Sequence, residues 1–212
     1  MSTPRSKSVL WGVDMQRDFM LPGGALYVPG AERLIPNIQK LVNLARADKA
    51  LLISSACQHT PDDPEFKTFP PHCVRGSPGA ELIPEARVEG LLRIPNDPAF
   101  LLPADLFQNR QVLLEKQVLD VFQNPHASEI VKRLGRETEF FVFGVVTEYC
   151  VQLAAKGLIE RGQRVSLVFD AIETLKPEQG ATTTAELCAS GARLISTAEA
   201  IAEVEASLKA NS

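Results

Sequence analysis

Apolar residues in this chain fall into short unbroken runs separated by stretches of helical spacing. Val9-Leu10-Trp11-Gly12-Val13 stops at Asp14 and predicts a first strand. Residues 31–44 carry Leu34, Ile35, Ile38, Leu41 and Val42 at helical intervals and predict a helix. Further strands are expected at Ala50-Leu51-Leu52-Ile53-Ser54, at Val112-Leu113-Leu114-Glu115-Lys116 and at Phe140-Phe141-Val142-Phe143, which ends at Gly144. Val165-Ser166-Leu167-Val168-Phe169 and Arg193-Leu194-Ile195 complete the set. Helices are expected at 128–134, after Thr147 (Val151, Leu153, Ala154, Ala155, Leu158), at 177–190 and at 197–208. Residues 57–109 break the alternation. They are rich in Pro and Gly, and their one apolar run, Leu91-Leu92-Arg93-Ile94, fits neither type clearly. Continuously apolar strands that alternate with helices predict a parallel sheet covered on both faces, with right-handed crossovers.

Composition narrows the class. With 212 residues the chain can bury one good core, so the expectation is a single domain over 1–212 with a loop-rich insertion at about 57–109. Apolar residues make up 45% and the net charge is −4, which argues against nucleic acid or an anionic membrane surface as a partner. No apolar run is long enough to span a bilayer, and residues 1–7 lack the apolar segment of an export signal. The four cysteines (57, 73, 150 and 188) follow no disulfide-framework spacing. A cytoplasmic protein with reduced thiols is therefore expected.

In a parallel α/β sheet, functional groups gather beyond the carboxyl ends of the strands. Asp14, Lys116 and Cys150 all fall there. Cys150 lies near a predicted helix start, where unpaired N–H groups favour thiolate over thiol. The plainer reading makes Cys150 a small buried hydrophobe, Asp14 a turn cap and Lys116 a solvated rim residue. An acid, a base and a thiol on one rim favour chemistry.

Longer motifs add a resemblance. Val13-Asp14-Met15-Gln16-Arg17-Asp18-Phe19, Gly23-Gly24-Ala25-Leu26 and Pro70-Pro71-His72-Cys73-Val74-Arg75-Gly76-Ser77-Pro78-Gly79-Ala80 occur in that order. Glu115-Lys116 with Asp120-Val121-Phe122, and Gly144-Val145-Val146-Thr147-Glu148-Tyr149-Cys150-Val151, follow. Over nearly its whole length the chain resembles the isochorismatase-like cysteine hydrolases, and among them it is most similar to the nicotinamidases. The resemblance implies a three-layer α/β/α fold with a six-stranded parallel, Rossmann-like sheet. It also implies a Cys150–Asp14–Lys116 catalytic set: Asp14 takes the thiol proton, Lys116 stabilises the resulting charge, and the thiolate attacks an amide carbonyl to give a thioester. A cis peptide before Val146 is implied as well. It would aim the N–H groups of Val146 and Cys150 at the developing oxyanion, where one donor is worth about 3 kcal/mol.

The same resemblance places a divalent metal on Cys57, His59, Glu65 and His72. Cys57 stands where the family has Asp, and a Cys/His/His set suits zinc and disfavours magnesium or manganese. The alternative is that Cys57 does not ligate and the site is weakened or empty. His126 is expected to cap or precede a helix. Glu148 replaces the usual Asp. Phe19, Phe69, Phe122 and Tyr149 match pocket-wall positions and suit a small planar substrate, although core packing is the competing reading, for Phe122 above all. The leading expectation is hydrolysis of a small amide, with nicotinamide the best single candidate, by a homo-oligomer of the kind common among small α/β enzymes. The rivals are a metal-independent amidase acting on a carbamoyl or ureido compound, and a non-catalytic binding protein. Vinyl-ether hydrolysis does not need the thiol, so an intact Cys150 argues against it.

Overall fold

The computed structural model describes residues 7–210. The N-terminal stretch read above for an export signal lies, apart from Lys7, outside them. Seven strands form one parallel sheet: β1 Ser8–Val13, β2 Leu51–Cys57, β3 Leu92–Ile94, β4 Gln111–Lys116, β5 Glu139–Val145, β6 Arg164–Glu173 and β7 Arg193–Ile195. Their order is β3-β4-β2-β1-β5-β6-β7. The helices are α1 Arg17–Met20, α2 Ile35–Arg46, α3 Ala127–Leu134, α4 Gln152–Glu160, α5 Pro177–Ala189 and α6 Thr197–Ala210.

Why the strands read as unbroken apolar runs is plain from the two cores. Alternate residues of one strand enter opposite faces, and both faces are covered. Leu10, Phe141 and Phe143 pack with Ile38 and Leu41 of α2 and Val204 of α6. Val9, Trp11, Phe140 and Val142 pack with Ile130 of α3, Leu158 of α4 and Leu187 of α5. Every residue of β1, β2 and β4 is buried, so no polar alternation marks these strands.

The structure corrects the strand count from six to seven. The additional strand is the ambiguous run. β3 pairs with β4 alone, from Leu92↔Val112 to Ile94↔Leu114, at the sheet edge. Its burial runs from half-buried Leu92 through exposed Arg93 to buried Ile94, a pattern three residues long. Among the described residues no helix is long and apolar enough to cross a membrane.

The topology fixes where a site can form. From central β1 the chain builds one side of the sheet through β2, β3 and β4, then returns to add β5 on the other flank of β1. That reversal opens a crevice at the carboxyl ends of β1 and β5. Backbones approach closely there: Gly144 lies beside Val13 at φ +116°, and a Cβ on it would stand 2.1 Å from the Val13 carbonyl oxygen. The Val145–Val146 peptide that follows is cis.

Candidate active site

Four strand ends supply the polar centre. Asp14 leaves β1 at φ +48° with its side chain wholly buried. Its Oδ1 accepts a hydrogen bond from Ser55 Oγ at 2.7 Å, and its Oδ2 lies 2.8 Å from Lys116 Nζ. Lys116 ends β4 beside Cys57, its register partner at the end of β2. The ammonium also donates to Cys57 Sγ at 3.0 Å and to Cys150 Sγ at 3.5 Å. An ammonium has three N–H donors, and here each has a partner. Asp14, Lys116 and Cys150 are thus brought together, and Cys57 joins them.

Cys150 sits on a single π-helical turn, Thr147–Val151, between β5 and α4. Single π turns are frequent at functional sites. Burial pushes its thiol well above the ordinary range. Lys116 pulls it down, but Asp14 and Cys57 push it further up. Burial therefore outweighs the helix start and favours the thiol form of Cys150 at rest. Burial likewise drives Cys57 up to about 12. For Lys116, burial opposes the charge, yet Asp14, Cys150 and Cys57 outweigh it and hold the ammonium protonated.

Above this centre lies a cavity of about 100 Å³. Phe19, Phe69 and Tyr149 wall it as expected, with Phe69 and Tyr149 edge to face at 6.3 Å. Val146, Cys150, Cys57, Glu65 and His72 also reach it. Phe122 does not line it. Its ring stacks on Trp11 at 6.0 Å, beneath the Arg161 guanidinium at 3.8 Å, and packs against Gly157. The core-packing reading holds for that residue, and Leu26, Leu119 and Leu175 complete the wall instead. A larger open groove of about 680 Å³, bordered by Arg17, Arg87 and Arg93, is lined by no cysteine, serine or threonine among the described residues.

One side of the cavity is a cluster of metal-type donors. Sγ of Cys57 and the ring nitrogens of His59 and His72 lie within 4.8 Å of one another. Glu65 Oε1 stands 4.0 Å from His59 Nε2 and 3.9 Å from His72 Nε2. Asp63 Oδ2 is 3.0 Å from His59 Nδ1, and the Pro70 carbonyl is 2.8 Å from His72 Nδ1. Each ring thus directs Nδ1 outward and Nε2 toward the cluster, the arrangement that prepares histidine for a metal. Both ring nitrogens of His59 are buried with no hydrogen-bond partner among the described residues, Asp63 lying beside Nδ1 as an ion-pair partner, and a cation would relieve that cost at Nε2. Burial lowers the His72 pKa, which favours the neutral ring that can ligate, and raises that of Glu65. The donors present fit a zinc ion. His126 lies apart, bonded through Nε2 to the Asp97 carbonyl just before α3.

Several anchors have no signal in the sequence pattern. Gln16 grips Cys57 from both sides, donating to its carbonyl at 2.8 Å and accepting from its N–H at 2.7 Å. Asp18 accepts from the N–H groups of Cys73 at 2.7 Å and Ala25 at 3.1 Å. Asp63 also accepts from Glu65 N–H, so a single carboxylate orients two members of the cluster. Gln16 and Asp18 lie inside the first motif, but only the fold reveals what they hold.

The sequence profile of the isochorismatase domain matches residues 8–199. The chain belongs to the isochorismatase-domain family. Within this family it is nicotinamidase-like. It is 25% identical over 211 residues to the nicotinamidase of Escherichia coli, spanning 88% of this chain and 93% of that one. The pyrazinamidase of Pyrococcus horikoshii, solved in complex with zinc, is 27% identical, with a TM-score of 0.71 over 90% of this chain and 99% of that chain. The N-carbamoylsarcosine amidase of Thermoplasma acidophilum shares the fold at 23% identity, with a TM-score of 0.69 over 90% of this chain and 96% of that chain.

Proposed function

We propose that this chain, an amidohydrolase acting on a linear C–N amide bond, hydrolyses a small planar uncharged amide through a thioester on Cys150, with nicotinamide the best single substrate. The observation that carries this reading is the contact of one buried ammonium with both Asp14 and Cys150 at the base of an apolar cavity. The thiol proton passes from Cys150 Sγ to the Asp14 carboxylate as sulfur attacks the carbonyl carbon. The N–H groups of Val146 and Cys150 receive the negative charge that develops on oxygen. Collapse of the tetrahedral species breaks the C–N bond, and Asp14 returns its proton to the departing ammonia. Asp14 then deprotonates a water that cleaves the thioester, releasing the acid and restoring the thiol. Lys116 pairs with Asp14 at 2.8 Å and balances the sulfur while it is charged. A zinc ion on Cys57, His59, Glu65 and His72, when bound, supplies a Lewis acid facing the cavity for a heteroaromatic nitrogen of the substrate.

The walls favour this reading over the ureido alternative. Phe19, Phe69 and Tyr149 suit a flat ring, and among the described residues the charged groups that reach the cavity include the carboxyl of Glu65 but no arginine. Lys116 has all three donors engaged. Among the described residues no arginine or lysine is free there to pair with a substrate carboxylate, which leaves only a bound ion as its counter-charge.

Metal content of the purified protein should be measured together with ammonia release from nicotinamide before and after chelation. Bound zinc with chelator-sensitive release is expected, and Cys150→Ala should abolish it. Undiminished turnover by Cys150→Ala would sink the thioester route. A metal-free protein that ignores nicotinamide but cleaves a carbamoyl compound would move the assignment to the ureido class. Silence across a panel of amides would leave a binding protein.

A further inference from the structure

Glu148 is a buried carboxylate that the chemistry above does not use, although it lies two residues before Cys150 on the same π turn. Its oxygens reach across to the segment that follows β6. Oε2 accepts from Thr174 Oγ1 at 2.6 Å, and Oε1 accepts from the backbone N–H groups of Leu175 at 3.0 Å and Lys176 at 2.9 Å. Thr147 Oγ1 adds a bond to the Glu173 carbonyl at 2.8 Å. Residues 173–176 are thereby stapled to the turn that carries the thiol.

Leu175, in the middle of that segment, lines the cavity and is 40% exposed. A leucine so exposed gains little from burial, so hydrophobic packing is a weak force for holding it in place. Charge-assisted hydrogen bonds to its own backbone are a strong one. We propose that Glu148 is a positioning residue that holds Leu175 across the cavity mouth, and that Leu175 thereby sets the upper size of the amide admitted to Cys150. This inference rests on the reading of the cavity as the substrate site, and it adds the feature that limits substrate size.

The test uses alkylation of Cys150, which needs no substrate, so the nicotinamide assignment can fail without touching it. Rates with iodoacetamide and with the bulkier N-phenylmaleimide are followed by peptide mass mapping, and their ratio is compared among variants. Leu175→Ala and Glu148→Ala should each raise the bulky-to-small ratio at least about tenfold, the scale on which a pocket discriminates by side-chain volume. Glu148→Gln should keep the wild-type ratio, because its remaining oxygen still accepts both N–H groups and its amide can donate to Thr174 Oγ1. The double variant Glu148→Ala with Leu175→Ala should exceed Leu175→Ala by nothing, since both act through one side chain. An unchanged ratio in Leu175→Ala overturns the proposal. So does a Glu148→Ala effect that is equal for both reagents, which would place Glu148 in support of the thiol's own turn. Should Glu148→Ala not fold, Thr174→Val removes one of the carboxylate's three partners and must still raise the ratio.

Discussion

Lys116 holds two opposing demands in balance. Its charge pairs with Asp14 and lowers the cost of ionising Cys150, yet Asp14 raises that cost again. Removing the carboxylate separates the two effects. In Asp14→Asn the anion that pushes the Cys150 thiol up is gone while Lys116 still pulls it down, so the thiol pKa falls and thiolate becomes the counter-ion of Lys116. Alkylation of Cys150 by iodoacetamide should therefore reach its half-maximal rate at lower pH than in the wild type. Turnover should drop by about 10²–10⁴-fold, the usual contribution of a general acid–base group. A pH profile that does not move would mean that Asp14 does not govern the thiol. The three residues of this centre were legible because Asp14 and Lys116 close apolar runs and Cys150 lies near the helix start that follows a third. The second contact of Lys116, to Cys57, was not, since Cys57 and Lys116 are 59 positions apart and meet only through strand register. Gln16 and Asp18 were hidden for the same reason, holding backbone 41 and 55 positions away. Phe122 shows the converse failure: an aromatic side chain near the site in sequence turned to the opposite core, where Trp11 and Arg161 receive it.

Among the elements, those buried on both faces were legible and those at the margin were not. β1, β2, β4 and β5 are runs of apolar residues because no side of them meets water. β3 escapes because an edge strand of three residues with an exposed arginine has too little pattern to separate it from a loop. β6 continues to Glu173, past the expected end at Phe169, because its pairing with β5 shifts register between Val142 and Gly144 and then resumes at Ile172 and Glu173. The sharpest constraint on any element is at Gly144. A methyl group there would meet the backbone of Val13 at 2.1 Å, at a φ that side chains avoid. Backbone cannot yield as a flexible side-chain tip can, so Gly144→Ala should destabilise the protein by about 3 kcal/mol or more. Urea unfolding monitored by circular dichroism would measure this. Gly23→Ala, also at positive φ but with nothing within 4 Å, should cost about 1 kcal/mol and serves as the control for strain alone.

For the molecule as a whole, the donor cluster links parts of the chain that the sheet alone does not join. Cys57 is the last residue of β2, while His59, Glu65 and His72 belong to the irregular segment beyond it. An ion bound there would bridge the parallel core to the segment that walls the cavity. Anything that binds the folded form alone stabilises it by mass action, about 2.7 kcal/mol at a hundredfold excess over the dissociation constant. For a chain of this length that corresponds to a rise in Tm of roughly 5–10 °C. Zinc should therefore raise the melting temperature in a concentration-dependent way, and chelation should reverse it. Asp63→Asn should weaken binding about 10–100-fold by loosening the orientation of His59 while leaving every donor in place. The role of Cys57 has its own signature. Cobalt bound in place of zinc should show a sulfur-to-metal charge-transfer band that disappears in Cys57→Ser and Cys57→Asp, whereas Cys57→Asp should retain cobalt through its carboxylate. A band that survives Cys57→Ser would assign the sulfur ligand to another cysteine, and a protein that binds cobalt without the band would leave Cys57 as a partner of Lys116 alone.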